Sequence, residues 1–398
     1  MSGAAVSRAR ARARPGWAVP VAAWAASRAL VLALALVGSL VLGIPTRGVE
    51  PQVPDALSLL GGWDTTWYLD IALRGYDHDL GQLAEVYTNL AFFPLLPWLM
   101  AAGAAVGLNP FAVGVVAGNL GFLGALLALH ALARPRLGER RAALATWAVA
   151  LCPPAVTVSM AYTEGLALAL AAGAALAAVR GRFALAGLAA AAAALTRPPG
   201  ILVALLVGLL ALWDPATRRY GIAPRRLGRA AAGVLPSVAA LAGFLLWMWA
   251  ARGSPMLPFD AQAAWDRGSP VIGLFTAAPE ELRAGWGHVV AGEVGASWTA
   301  VARDVAFGAL YIALLARLWR GEGGLRSPWV TYSAAALALP LSSGSVDSVA
   351  RFGLMAFPLA WPAAEWLDGA SPRARRWAAV AALAGVVLLV AQLRIRAP

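Results

Sequence analysis

The sequence predicts an all-α integral membrane protein, a single bundle of about 10–12 membrane segments with two sizeable external loops. The chain has 398 residues, of which 60% are hydrophobic and 13% are charged, and its mean hydropathy is +0.69. A soluble domain cannot bury so much apolar surface. Apolar runs alternate with short arginine clusters and show no sequence repeat, so residues 1–398 are predicted to form one transmembrane domain.

The first span is predicted between Trp17 and Ile44. This run lacks a small-residue cleavage site and is long enough to cross the bilayer, which indicates a transmembrane helix and not a removable signal peptide. Four arginines lie at alternate positions from residue 8 to residue 14. The positive-inside rule therefore places the N-terminus in the cytoplasm and directs the first helix outward.

The first external loop is predicted to cover residues 45–110. Its part up to about Thr88 holds seven acidic residues against two arginines. The apolar segment from Ala91 to Val106 contains two prolines and is followed at once by a span from Phe111 to Ala133. The arginine cluster after that span should be cytoplasmic, and two crossings in a row would place it outside. The Ala91 segment is therefore predicted to be re-entrant or interfacial.

Seven more spans are predicted on both sides of a helical hairpin, and each arginine cluster between them then falls on the cytoplasmic side. They run over Ala142–Val158, Tyr162–Val179, Ala231–Ala251, Thr299–Trp319, Trp329–Leu341, Phe352–Leu367 and Trp377–Leu393.

The hairpin is predicted over residues 183–213. Its two arms, Phe183–Thr196 and Gly200–Trp213, have about 14 residues each and reach about 21 Å, short of a hydrocarbon core of roughly 30 Å. The tip carries Arg197 between Thr196 and Pro198 and is predicted to stop in the outer leaflet or at the floor of a cavity. An arginine there needs an anionic partner.

Residues 252–298 form the second predicted external loop, which is long enough to fold over the first. The net charge of +12 does not indicate nucleic-acid binding, because the basic residues are spread through short loops. The one cysteine, Cys152, excludes an intramolecular disulfide, and the three histidines are too scattered for a histidine-rich metal site.

The first loop contains a short helical pattern from Gly62 to Tyr76. Asp64 and Tyr68 share one face of such a helix, whereas Asp70 and Arg74 share another at the spacing of an ion pair. Asp70 is therefore as well explained by that pair as by a role in a site. Asp64 has no local partner and is explained either by capping of the helix or by chemistry.

Three pieces of sequence resemble the PIG-V family of GT-C glycosyltransferases. They are Trp63-Asp64-Thr65-Thr66-Trp67-Tyr68-Leu69-Asp70-Ile71-Ala72 with Gly75-Tyr76, then Ala91-Phe92-Phe93-Pro94-Leu95-Leu96-Pro97, and later Tyr162-Thr163-Glu164. The strong part of the resemblance covers residues 63–97, with weaker similarity at Glu164, Arg197 and Arg351. The resemblance implies a GT-C-type helix bundle in a bacterial inner membrane.

The same resemblance implies transfer of a hexose, mannose first of all, from a polyprenyl-phosphate donor to a lipid-linked or protein acceptor. The reaction would take place on the external face with inversion at the anomeric carbon. Asp64 then fits the general base that accepts the proton of the acceptor hydroxyl. Cations must stabilise the departing phosphate, and Arg197 is the first candidate and Arg351 the second.

The remaining candidate substrate-binding residues are Tyr68, Asp70, Tyr162 and Glu164. Tyr162 could stack on a sugar, and Glu164 could bind a sugar hydroxyl or a cation, or stabilise the start of its helix. Arg351 has a competing partner in Asp347. No cofactor is predicted, and a divalent cation is not indicated, since Asp64, Asp70 and Glu164 could converge only through tertiary folding.

Two other classes of function fit the sequence. A transporter or lipid flippase also uses broken helices with embedded charges, although the acids here lie in loops and no duplicated halves are evident. A non-catalytic accessory subunit would keep the fold without the chemistry, which the presence of Asp64 disfavours. Arg28 inside the first helix is predicted to snorkel to the cytoplasmic interface.

Overall fold

A computed structural model of the chain describes residues 15–41, 50–78, 87–265, 296–341 and 348–393. The predicted all-α class is confirmed, because helices dominate these residues and the strands among them form one two-stranded sheet. Asp347 and most of the second predicted external loop lie outside the described residues.

The helices follow one another along the chain in the following order. They are α1 (Ala18–Leu36), α2 (Asp64–Arg74), α3 (Leu95–Ala105), α4 (Pro110–Ala150), α5 (Glu164–Val179), α6 (Phe183–Ala194), α7 (Leu202–Leu212), α8 (Pro224–Arg252), α9 (Leu257–Asp260), α10 (Ala296–Glu322), α11 (Pro328–Leu341), α12 (Val349–Phe352), α13 (Ala360–Gly369) and α14 (Pro372–Gln392). Strands β1 (Trp213–Asp214) and β2 (Arg219–Tyr220) pair antiparallel between α7 and α8.

Five helices in the described part of the chain are long and apolar enough to cross a membrane. They cover Ala18–Val41, Pro110–Ala150, Pro224–Arg252, Thr299–Glu322 and Pro372–Gln392. The other apolar segments are short or broken. α3 has 11 residues, and α6 and α7 have 12 and 11, so none of these three reaches across a bilayer alone.

Two predicted continuous spans are wrong. The helix of the predicted span Ala142–Val158 ends at Ala150 and is followed by a 3-10 segment, Pro153–Ser159, that meets α5 at a bend of 103°. The predicted span Phe352–Leu367 is divided into α12, two 3-10 segments and α13. Prolines 153, 154 and 358 lie at these breaks, and proline lacks the N–H that an α-helix needs.

Glycines allow the backbones of α4 and α5 to come into direct contact. A Cβ placed on Gly165 would lie 2.1 Å from the Gly118 carbonyl oxygen, and one on Gly121 would lie 2.9 Å from the Gly165 backbone. Small residues at such crossings allow close helix contact in membranes. The crossing fixes the start of α5, where Glu164 precedes Gly165.

The chain turns between α6 and α7 through a 3-10 segment, Pro198–Ile201, directly after Arg197. The turn is tight, since the Gly200 N–H donates to the Arg197 carbonyl at 2.8 Å. The tip is tied to α3, because the Leu95 N–H donates to the Leu195 carbonyl at 2.9 Å. The backbone of Arg197 is therefore held from both sides.

We expect Gly200→Ala to open this turn, because the new Cβ would lie 1.8 Å from the Ala193 carbonyl oxygen. Overpacking at backbone costs about 1–3 kcal/mol or more, so thermal unfolding in detergent should begin several degrees lower. The matched control is Gly173→Ala in α5, where nothing lies within 4 Å of the new Cβ and alanine favours the helix. Equal melting temperatures for the two variants would contradict this account of the turn.

Arg28 does not snorkel to the surface as predicted. It is 4% exposed, and its Nη1 donates to the Ala155 carbonyl at 2.8 Å and to Ser159 Oγ at 2.9 Å. Its guanidinium also lies 4.9 Å from the Phe122 ring centroid. The broken helix after α4 leaves carbonyl groups without helical partners, and Arg28 satisfies them inside the bundle.

Candidate active site

The site begins at the first residue of α2. Trp63 precedes the helix with a positive φ of 60°, a conformation that non-glycine residues adopt at a cost. Asp64 is the first residue of the helix and Trp63 is its N-cap, so Asp64 does not occupy the position that the capping explanation requires. The Asp64 N–H donates to the Tyr162 hydroxyl at 3.1 Å, and its carboxylate remains 20% exposed.

Arg351 is the partner of Asp64. Its Nη1 donates to Asp64 Oδ2 at 2.6 Å, between residues 287 positions apart. The same nitrogen lies 3.6 Å from Glu164 Oε1. Arg197 Nη1 lies 2.9 Å from that same Glu164 oxygen, so one carboxylate oxygen contacts both guanidiniums.

Four charged side chains, three of them buried, form a balanced group that we call the charge cluster: Asp64, Glu164, Arg197 and Arg351. The side chains of Glu164, Arg351 and Arg197 are 3%, 6% and 9% exposed. Two carboxylates offset two guanidiniums, which reduces the cost of burying the charges. Arg197 and Glu164 thus have the partners that an embedded charge requires.

The ring of Phe352 lies against both guanidiniums of the charge cluster. Its centroid is 4.4 Å from the Arg197 guanidinium carbon and 4.9 Å from that of Arg351. An aromatic ring at this distance attracts a cation and keeps water away from it. Phe352 was missed in the sequence, because a phenylalanine at the start of an apolar run gives no signal of such a contact.

The guanidiniums retain hydrogen-bonding capacity. Arg351 Nε has no hydrogen-bond partner among the described residues, and Arg197 Nη1 is paired with Glu164 without the alignment of a hydrogen bond. Buried donors without partners are costly. They are suited to receive oxygens of an anionic ligand such as a phosphate.

The two tyrosines among the candidates are buried beside the charge cluster. Tyr162 is fully buried, and its ring centroid lies 5.3 Å from the Arg351 guanidinium. In this arrangement the ring faces a cation and offers no open surface for a sugar to stack on. Tyr68 is 5% exposed and its ring packs edge-on against Phe92 at 5.3 Å and Tyr162 at 6.5 Å, so it contacts the cluster through Tyr162.

Asp70 lies on the other face of α2 and not in the charge cluster. The predicted pair with Arg74 is present, and the Asn89 side-chain amide donates to Asp70 Oδ2 at 2.5 Å. Hydrogen bonds to Asp70 and then to Glu50 raise the pKa of Arg74. Asp70 therefore joins α2 to the segment around Asn89, which is a structural task.

A second buried pair positions Arg351 and was also missed in the sequence. Asp304 on α10 is fully buried and accepts from the Ala350 N–H at 2.8 Å and from Arg303 Nη2 at 2.7 Å. The Tyr311 hydroxyl donates to the Ala350 carbonyl at 2.7 Å. The residue before Arg351 is thus held at both backbone polar groups, and an acid inside an apolar span is the signal that could have indicated this role.

We expect Asp304→Ala to lower stability by about 3–5 kcal/mol, because it leaves the Arg303 guanidinium buried without its carboxylate. It should also lower any activity that depends on Arg351, whereas Asp304→Asn keeps an acceptor for the Ala350 N–H. Melting temperature and turnover are measured for both variants. A turnover no higher in Asp304→Asn than in Asp304→Ala would contradict a role in positioning Arg351.

The residues of the site do not fit a dedicated divalent cation. No group of three or more histidine, cysteine, aspartate or glutamate side chains converges within the described ranges. The two carboxylates of the charge cluster contact arginines, and a hard cation needs several free oxygen ligands.

The structure is similar to solved oligosaccharyltransferases from Archaeoglobus fulgidus. The crystal structure of the complex with Zn and sulfate matches with a TM-score of 0.52 at 15% identity, over 95% of this chain and 53% of that chain. The AglB complex with an inhibitory peptide and a dolichol-phosphate gives a TM-score of 0.46 at 12% identity, over 93% and 56%. The chain thus spans about half the length of these proteins.

The chain therefore shares the fold of the first of these structures, and with five long apolar helices in its described part it is an integral membrane protein. No family model and no curated protein matches the sequence. Membership of the PIG-V family stays a prediction.

Proposed function

We propose that the protein is a membrane glycosyltransferase that moves a hexose, mannose first of all, from a polyprenyl-phosphate donor to a lipid-linked or protein acceptor. The reaction takes place on the external face of a bacterial inner membrane, with the N-terminus in the cytoplasm. One observation carries the proposal: a partly exposed Asp64 carboxylate lies 2.6 Å from a buried arginine that has an unused donor.

The charges of the site match the needs of a single displacement. The acceptor hydroxyl oxygen attacks the anomeric carbon, and its proton passes to the Asp64 carboxylate. The bond between the anomeric carbon and the phosphate oxygen breaks, and the electron pair leaves with polyprenyl phosphate. Attack opposite to the leaving group inverts the anomeric configuration.

The two arginines are placed to stabilise the leaving phosphate as its charge grows. Arg197 and Arg351 are each more than nine-tenths buried, where an electrostatic interaction is stronger than in water. A donor phosphate that binds Arg351 would also weaken the ion pair between Arg351 and Asp64. Donor binding would thereby free the carboxylate to act as the base.

Glu164 has a supporting part in this proposal. Its Oε1 contacts both arginines, so it keeps two like charges close together before the donor arrives. This replaces the expectation that Glu164 binds a sugar hydroxyl directly. Tyr162 has a comparable part, since it holds the Asp64 backbone.

The test is transfer by the purified full-length protein. Radiolabelled polyprenyl-phosphate mannose and a crude lipid acceptor fraction are supplied, with polyprenyl-phosphate glucose in a parallel assay. We expect label in the acceptor fraction, an inverted linkage by NMR and an unchanged rate with EDTA. Absence of transfer from any hexose donor would overturn the proposal in favour of an accessory subunit or a transporter.

A further inference from the structure

A cleft of about 690 Å³ lies between the first turns of α6 and α8. It is lined by three arginines, Arg182, Arg225 and Arg229, with Phe183, Leu185 and Ala232 among the apolar walls. α6 is 12 residues long, or about 18 Å, and Arg197 follows its other end. The cleft is thus separate from the charge cluster.

The three arginines carry uncompensated charge. Within the described ranges no carboxylate lies at ion-pair distance from any of them. The neighbouring Arg226 differs, because its Nη2 lies 2.9 Å from Asp214 Oδ2 and it donates to the Leu212 carbonyl. Three positive charges around one cleft favour a negatively charged occupant.

The cleft continues into apolar surface on both helices. Leu185 and Leu188 on α6 are 53% and 64% exposed, and Leu235 on α8 is 62% exposed. Leu188 follows the cleft residue Leu185, and Leu235 follows Ala232, at the three-residue spacing of a shared helix face. A ligand with an anionic head and an apolar tail could therefore place its head among the arginines and its tail on the leucines.

The base of the cleft is closed by direct contact of the helices. A Cβ on Gly187 would lie 2.2 Å from the Ala232 carbonyl oxygen, so α6 and α8 touch one turn below the arginines. The Arg229 guanidinium lies 5.6 Å from the Phe183 ring, which holds one charge at the wall. A head group held at the arginines would therefore leave its tails outside the cleft, along the leucines.

We propose that this cleft binds the phosphate head group of an anionic phospholipid of the cytoplasmic leaflet, with its acyl chains along Leu188 and Leu235. The positive-inside rule assigns this arginine-bearing end of the bundle to the cytoplasm, where anionic head groups are recognised by basic pockets between helices. The inference is independent of the proposed glycosyl transfer.

The experiment measures binding of dioleoylphosphatidylglycerol to the detergent-purified full-length protein by native mass spectrometry. Dioleoylphosphatidylcholine and inorganic phosphate are the comparison probes. The variant Arg225→Gln/Arg229→Gln should weaken binding of the anionic lipid about tenfold or more. The matched control Arg219→Gln/Arg320→Gln removes the same charge from exposed sites outside the cleft and should leave binding within about twofold.

Three results would overturn the proposal: equal weakening by both double variants, equal binding of the two lipids by the wild type, or competition by inorganic phosphate as strong as that by the lipid. If the double variant does not fold, Arg182→Gln serves instead, because this exposed side chain lies in the turn before α6. We expect about threefold weaker binding for this variant, and unchanged affinity would count against the site.

Discussion

Asp64→Asn is expected to lower hexosyl transfer about a thousandfold or more. The amide has nearly the shape of the carboxylate and can still accept from Arg351, but it cannot take the proton of the acceptor hydroxyl. General bases contribute about 10²–10⁴-fold to such reactions. The measurement is the initial rate with saturating polyprenyl-phosphate mannose, together with donor affinity, which should change little.

The matched control is Asp70→Asn on the opposite face of the same helix. It makes the same chemical change in a carboxylate of similar exposure, 19% against 20%. Asp70 is bound to Arg74 and Asn89 and not to the charge cluster, so its loss should affect stability and leave most of the transfer rate. Equal transfer by wild type and Asp64→Asn would remove Asp64 from the chemistry.

Arg351→Gln is expected to have the second largest effect, a fall in transfer of about 10²–10³-fold. The glutamine can keep a neutral hydrogen bond to Asp64, but it supplies no charge to the departing phosphate. Because both donor binding and departure of the phosphate use the cation, the apparent KM for the donor should rise and turnover should fall. Arg351→Lys should recover only part of the loss, since lysine lacks the planar set of donors.

Arg74→Gln provides the control for this second prediction. Arg74 also pairs with an aspartate of α2, but its side chain is 57% exposed and an exposed pair contributes little. Its loss should leave donor KM and turnover within about twofold. A donor KM and turnover unchanged in Arg351→Gln, with a normal melting temperature, would show that the phosphate does not depend on Arg351.

The breaks in the helices explain why the site could not be assembled from apolar runs alone. The hydropathy pattern predicts that Ala142–Val158 and Phe352–Leu367 are continuous spans. In the structure neither range forms a continuous helix. Each division brings polar backbone groups into the bundle: the Ala155 carbonyl accepts from Arg28, and the Met355 carbonyl accepts from the Tyr332 hydroxyl. An arginine or an aspartate inside an apolar run is the feature of the sequence that points to such buried partners.

The sequence by itself determined the membrane class, the acidic first loop and the pair of Asp70 with Arg74, because composition and helical spacing act between near neighbours in the chain. It also singled out Asp64, Glu164, Arg197 and Arg351. Only the tertiary structure decided that these four residues meet, and that Asp70 stays apart. The contact of Asp64 with Arg351 joins residues 287 positions apart. It depends on a helix crossing at glycines, a tight hairpin tip and a buried aspartate that holds the residue before Arg351. None of these features can be predicted from the spacing of neighbouring residues in the sequence.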